Sequence, residues 1–581
     1  MSEPDRTAKW TQASRSGDLV GDGPFAVSAG GVDLVAVRTS AGLRVYDGRC
    51  PHQGALLGEG ELDGEVLVCR NHRWRFDAAT GRREGGPQCL RACPSEVRDG
   101  GLFVDLGALA TKTAATATRS IAELPGPKGL PWIGNALDLD VPRLHLVLED
   151  WARTYGSTFQ LLAGGRRFVV VSEPGLIEQA LRDRPETYSR DAKVAPVFSE
   201  LGVAGVFSVE GAGWRPQRRL AMEALSQRHL RGFYDTLAKV AARLHARWAR
   251  AAASGEVVDM PDDLMRFTVD VTTALAFGCD LNTLEGGDDV IQRELSLVFP
   301  TFARRLNSLI PYWRWIRLPE DRRVDRAIAA LRVWIAELIA EARRKLAADP
   351  TRKPENFLES MVAGRDEHGQ PFADEVLFGN AMTMLLAGED TTANSVAWAI
   401  HLLCDHPEEV AALRRQLDEQ LGEHAVPPDL EAANRIDRAT AIANEAMRLR
   451  PVAPLNFVQA NSDTVLGDFH IPKGTPVILL GRIAATDARH FSSPECFRPA
   501  RWLDKSEPVH DAGASMPFGS GPRICPGRSL ALVEMRVLLA TLYRSFAVER
   551  VGDGKDVREV YAFTVGPSHL KVRLRARDVR P

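Results

Sequence analysis

Apolar positions change their period once along the chain. Up to about Leu109 they fall in short alternating runs separated by Gly and Asp: Val32-Asp33-Leu34-Val35-Ala36-Val37, Leu43-Arg44-Val45-Tyr46, Val66-Leu67-Val68 and Leu102-Phe103-Val104. Period-two alternation with turn formers between the runs predicts a small antiparallel β domain. Ala108–Arg119, ALATKTAATATR, has no core-forming period and reads as a linker. After the Pro/Gly-punctuated segment Leu124–Asn135 (LPGPKGLPWIGN) the helical period takes over, with the longest predicted helices at Arg228–Arg250, Arg322–Lys345 and Ala373–Cys404. The expected division is a β domain over 10–108, a linker over 109–123 and a large, mainly helical domain over 124–581.

Composition narrows the class. The chain has 581 residues, 45% hydrophobic and 26% charged, which is enough apolar material for more than one core. Lys+Arg 73 against Asp+Glu 76 leaves a formal charge of −3, so whole-chain charge makes no case for nucleic acid or an anionic membrane surface. No apolar run approaches the roughly 18 residues of a membrane span, and MSEPDRTAKW holds no signal-peptide core. Eight cysteines are too sparse for a disulfide scaffold and sit in metal-site patterns. A cytoplasmic metalloprotein is expected.

Cys50-Pro51-His52 and Cys69-Arg70-Asn71-His72 form two boxes with 16 residues between His52 and Cys69. Two thiolates and two imidazoles can hold one zinc. Each box, however, pairs one Cys with one His, which suits a two-iron cluster with both sulfurs on one iron and both imidazoles on the other. CPHQGA followed by LVCRNHRWRFDAATG resembles Rieske ferredoxins, and the resemblance implies a [2Fe-2S] cluster on Cys50, His52, Cys69 and His72. Arg73 departs from the family's usual Gly, and the disulfide-forming Cys pair of respiratory Rieske proteins is absent, with Ala55 at one of its positions. Cys89 and Cys93 are left over and read as buried structural thiols.

Near the other end, Phe518-Gly519-Ser520-Gly521-Pro522-Arg523-Ile524-Cys525-Pro526-Gly527 places one Cys in a Gly-rich loop. Such a loop can stabilise a thiolate with backbone N–H groups while Phe518 shields it, and a thiolate can be the axial ligand of haem iron. Three further motifs precede or follow in order. Glu445-Ala446-Met447-Arg448 puts both charges on one helix face, Pro499-Ala500-Arg501-Trp502 offers Glu445 a second cation, and Ala387-Gly388-Glu389-Asp390-Thr391-Thr392 sets an acid beside a hydroxyl. Gly388 costs about 1 kcal/mol in a helix, and a close approach of ligand to backbone is expected there. Together the motifs resemble cytochrome P450 from Leu124 onward. The resemblance implies a mainly α fold with minor β-sheet and a haem b held by Cys525. It further implies propionate contacts from Trp214, Arg218 and Arg523, lining by Phe518, Gly519 and Gly388, proton delivery by Asp390 and Thr391, and a structural lock of Glu445, Arg448 and Arg501. Ala500 departs from the family's Glu.

The pair of resemblances implies a monooxygenase acting with O2 on a small hydrophobic substrate. The cluster would pass electrons singly to the haem from a separate NAD(P)H-dependent flavoprotein reductase, since no G-x-G-x-x-G follows a strand. A flexible tether over 109–123 would span about 20 Å. Three rivals are a non-haem oxygenase using His401 and His406, a peroxide-driven haem enzyme, and a redox or gas sensor. Arg304, Arg305 and Arg314 lie in segments expected near the substrate pocket and could face an acidic substrate or solvent.

Overall fold

The computed structural model describes residues 10–15, 19, 21, 23–40, 42–52, 54–71, 73–86, 88–109, 119–286, 290–308, 310–349, 351–366, 368–504 and 510–577. The alternating N-terminal runs become strands β1 (Trp10–Arg15), β2 (Phe25–Ala29), β3 (Val32–Thr39), β4 (Gly42–Asp47), β5 (Glu61–Asp63), β6 (Val66–Val68), β7 (Arg75–Asp77), β8 (Ser95–Arg98) and β9 (Gly101–Asp105). They form three antiparallel sheets in the orders β2-β3-β4, β5-β6-β7 and β1-β9-β8. Alternation on β3 serves two cores. Val35 and Val37 pack with Tyr46, Leu67, Phe76, Cys50 and Cys69, while Leu34 and Ala36 pack with Val27, Val45 and Leu102. The strand is buried on both faces, and this fixes the two Cys boxes against one of its sides.

The larger domain is mainly helical. The helices that position the site are α1 (Trp214–Ala224), α2 (Gln227–Ser254), α3 (Met260–Phe277), α4 (Pro319–Ala348), α5 (Asp374–Leu403), α6 (Asp437–Leu449) and α7 (Arg528–Ser545). Their ends follow local chemistry. Ser226 accepts from the His229 N–H to start α2, Gly255 in the left-handed region ends it, and Asp259 with Pro261 opens α3. A five-stranded sheet runs Thr158–Ala163, Arg166–Val171, Pro476–Leu480, Leu455–Ala460, Tyr188–Arg190, with one parallel pairing between its second and third members. Arg119–Ser120 pairs in parallel with Phe469–His470 and Ile121 is buried, so residues 119–123 of the expected linker belong to this body. Residues 110–118 lie outside the described residues. Among the described residues no helix is long and apolar enough to cross a membrane.

Helix α5 spans about 45 Å at 1.5 Å per residue and runs unbroken through the Ala387–Thr392 motif. Its closest neighbour is α3. A Cβ on Gly388 would lie 2.3 Å from Thr272 Oγ1 and 2.9 Å from its Cγ2. Helix–helix contact, rather than the expected approach of a ligand, is what this glycine serves. Gly388→Ala should therefore overpack the α3–α5 seam and cost about 1–3 kcal/mol, read by denaturant unfolding. The double variant with Thr272→Ser, which removes Cγ2, should recover part of that loss.

Candidate functional site

The loop from Phe518 to Gly527 leads straight into α7. The Cys525 N–H donates to the Phe518 carbonyl at 2.9 Å, and Gly521, at φ +71°, lies so close to the Leu181 carbonyl that a Cβ would fall 2.3 Å from its oxygen. Cys525 Sγ accepts from the backbone N–H groups of Gly527 and Arg528 at the start of α7. Burial pushes its thiol pKa up; those two N–H groups and the charges of Arg218 and Arg528 oppose that rise. The side chain is nevertheless open to a small probe. On α5, Ala387 is likewise exposed although every residue from Leu377 to Leu386 and from Thr392 to Ile400 is buried.

Around that loop is an excess of cations. Arg523 stacks over Trp214 at 4.1 Å, donates to the Val209 carbonyl at 2.8 Å and pairs with Glu210. Arg184 pairs with the same carboxylate at 3.3 Å, and Arg190, over the Phe207 ring, donates to the Phe207 carbonyl. Two guanidinium groups thus pair with one carboxylate, which also accepts from the Arg190 backbone N–H at 3.0 Å. Burial, opposed by Glu210 and reinforced by repulsion from Arg184 and Arg218, pushes Arg523 down to about 9. Arg190 is pushed down further by burial and by Arg184 and Arg523. Arg184, Arg190 and Glu210 carry no motif and escape sequence reasoning. Arg218 does not join this group: it makes a two-point ion pair with Glu59 of the N-terminal domain, at 3.0 and 3.1 Å.

Asp390 and Thr391 point to different partners. Asp390 accepts from Asn394 Nδ2 at 2.8 Å and from Thr564 Oγ1, and burial holds its pKa above the usual carboxylate range. The Thr391 hydroxyl donates to the Ala387 carbonyl at 2.8 Å. Near them are two carboxyls to which the sequence assigns no role. Glu389 is pushed up to about 8 by burial and by Asp390, and Glu534 on α7 to about 8 by burial, with Thr392 opposing. Glu445 bonds Arg448 at 2.8 and 2.9 Å, Arg501 at 3.0 Å and Trp502 Nε1 at 2.8 Å, with all three charged side chains fully buried. Ala500 leaves that network closed, because Trp502 supplies a donor.

In the N-terminal domain, Cys50 and Cys69 are buried at the roots of two loops, each closed by backbone bonds: Gly54 N–H to the Cys50 carbonyl and Arg73 N–H to the Cys69 carbonyl. Arg73 sits at φ +58°, which explains why glycine is usual there and makes the arginine a strained choice. The His52 ring stacks on Trp74 at 4.1 Å and 2°, and Arg83 caps the other face of Trp74 at 3.4 Å. His72 lies outside the described residues. Cys93 is buried and pushed up to about 11, whereas Cys89 is exposed, against expectation. The His401 ring faces Arg550 and Trp398, while His406 bonds the Leu402 carbonyl, so the pair serves packing.

The two domains meet at these loops. Asp33 and Arg49 interlock with Glu186 and Arg215 in a four-charge network. Arg70 donates to the Met222 and Leu225 carbonyls at the C-terminal end of α1, and Arg528 donates to the Asn71 carbonyl. A Cβ on Gly54 would fall 2.4 Å from Arg182 Cγ. What remains between the loops is a cavity of about 20 Å³ lined by Ala55, Asn71, Met222, Ile524, Cys525 and Arg528, among others.

Comparison with known proteins places both halves. The family model Cytochrome P450 matches residues 124–574. The chain belongs to the cytochrome P450 family. A second family model, Rieske [2Fe-2S] domain, matches residues 9–96. Human 25-hydroxyvitamin D-1 alpha hydroxylase, mitochondrial, is 29% identical over 485 residues, 78% of this chain and 92% of the relative. The chloroplastic protein LUTEIN DEFICIENT 5 of Arabidopsis thaliana is 27% identical over 409 residues, covering 68% and 67%. A self-sufficient cytochrome P450 monooxygenase of Penicillium freii is 26% identical over 466 residues, 79% of this chain, which spans only 43% of that relative.

Membership implies a haem in the P450 domain and a [2Fe-2S] cluster in the Rieske domain, and the residues present fit both. Three guanidinium groups gathered near one carboxylate, two of them paired with it, suit the two propionates of a haem. Cys525 is exposed in a Gly-rich loop with N–H groups aimed at its sulfur, and Cys50 and Cys69 are buried in one core, as a cluster's thiolate ligands would be. The buried carboxyls set a pH dependence. A native carboxyl at about 8 binds a proton that the unfolded chain, near 4.3, has released, so stability falls as pH rises from about 4.5 to 8 and levels off above. Glu534→Gln should remove one share of that slope. Its melting temperature relative to the unsubstituted protein should climb between pH 5 and 8 and hold constant above.

Proposed function

We propose that the chain is a haem-thiolate monooxygenase that uses O2 to hydroxylate or otherwise oxidise a small hydrophobic molecule. Its electrons would come from a separate NAD(P)H-dependent flavoprotein reductase and pass through the Rieske cluster to the haem. The observation that carries this reading is the docking of both cluster-bearing loops on the Cys525 loop, where Arg528 bridges to Asn71 and Arg218 to Glu59. A haem bound through a thiolate supplies activation of O2. The chain's own residues do the rest. Cys525 Sγ is the iron ligand, Trp214 with Arg184, Arg190 and Arg523 takes the propionates, and Arg218 reaches from the P450 domain to the Rieske domain.

Protons are the business of α5. Asp390, hydrogen-bonded to Thr564, keeps its proton to higher pH than an ordinary carboxyl because burial disfavours its charge. Thr391 presents a hydroxyl beside the exposed Ala387. Phe563, on the same hairpin as Thr564, packs with Phe198, Phe207 and Phe302 into an aromatic cluster. That cluster suits an apolar substrate. Arg304 and Arg305 pair with Asp321 and Arg314 with Glu200, so none of the three calls for an acidic substrate.

Variants at the cluster test the electron route. His52→Ala and His72→Cys should keep the haem spectrum and the substrate-induced spectral shift yet lose turnover driven by NADH and reductase. Full reductase-driven turnover in either variant would make the Rieske domain a structural or regulatory element instead.

A further inference from the structure

Arg528 belongs to neither expected ligand set, yet it touches both. Its backbone N–H donates to Cys525 Sγ, and its guanidinium reaches across the domain boundary to the carbonyl of Asn71, the residue before His72. That guanidinium lies 5.9 Å from the Phe518 ring and borders the small cavity shared by the two loops. Among the described residues it makes no ion pair with a carboxylate. The groups that act on it with opposite charge are Cys69 and Cys525 in their thiolate forms. Its cationic neighbours are already engaged: Arg70 on the Met222 and Leu225 carbonyls, Arg218 on Glu59.

We propose that Arg528 is a cation shared by the two metal centres, a positioning residue that fixes the cluster loop on the haem-ligand loop and favours the reduced form of both. The proposal rests on the docked electron route above. Each centre carries thiolate charge, and reduction adds one electron to it. A buried positive charge between the two therefore lowers the cost of that electron on either side, more strongly than it would in water. The step it serves is a single electron transfer. The reduced cluster is oxidised, the ferric haem is reduced, and no bond or proton moves.

The test uses the holoprotein with both centres loaded and compares Arg528→Gln, Arg528→Met and Arg528→Lys. Midpoint potentials are read by electron paramagnetic resonance for the cluster and by absorption for the haem. Both neutral variants should lower both potentials, a tenfold weaker preference for the reduced form at each centre being about 59 mV for a one-electron couple. Arg528→Lys should restore most of each shift. Unchanged potentials in the neutral variants, or a shift at one centre only, overturn the proposal. If the neutral variants fail to load a centre that Arg528→Lys loads, the charge is required and the proposal stands; if all three fail alike, the position needs arginine's shape and the proposal falls. Magnetic broadening of the reduced cluster by ferric haem in the unsubstituted protein separates the two readings. Broadening with unmoved potentials removes Arg528 alone, and no broadening removes the docked route itself.

Discussion

Burying a sulfur that must carry negative charge is the constraint around which both domains are arranged. The Cys525 thiol is pushed toward its neutral form by its surroundings, and the chain answers with the N–H groups at the start of α7 and with Arg218 and Arg528. The same guanidinium groups then tie the Rieske domain down, Arg218 through Glu59 and Arg528 through the Asn71 carbonyl. One set of charges thus favours the thiolate and docks the Rieske domain. Removing one partner of a buried pair such as Glu59–Arg218 typically costs about 3–5 kcal/mol, so the interface is held by a few costly contacts.

The surroundings of Arg523 obey the same logic with the opposite sign of charge. Arg184, Arg190 and Arg523 crowd around Glu210 with more positive charge than one carboxylate can offset. Such a surplus is expensive in a protein alone and becomes favourable when a dicarboxylate ligand enters.

Much of this was legible in the sequence, for reasons that can be named. The Glu445–Arg448–Arg501 network is readable because i, i+3 spacing forces two of its members together, and the strands of the Rieske domain because their alternation survives folding. The two Cys boxes and the Phe518–Gly527 loop keep their ligands within a few residues of each other. The docking was not legible. Its pairs, such as Arg528 with Asn71 or Arg218 with Glu59, join positions far apart in the chain, and nothing local marks them. Arg184 and Arg190 join Arg523 only through tertiary approach, and Gly388 is not readable because a glycine within a helix does not say which neighbour comes close. Cys89 was misplaced for a related reason: spacing alone does not reveal which face of a short strand-linking segment turns outward.

The account stands on electron transfer within a docked pair of domains, and the rate of that transfer tests it most directly. Flash reduction of the Rieske cluster in the fully loaded chain, followed by haem absorption, should show a single first-order phase independent of protein concentration and of solvent viscosity. A rate that rises with protein concentration would mean transfer between molecules. One that falls as viscosity rises would mean a domain swinging on its tether, and either would contradict the docked arrangement.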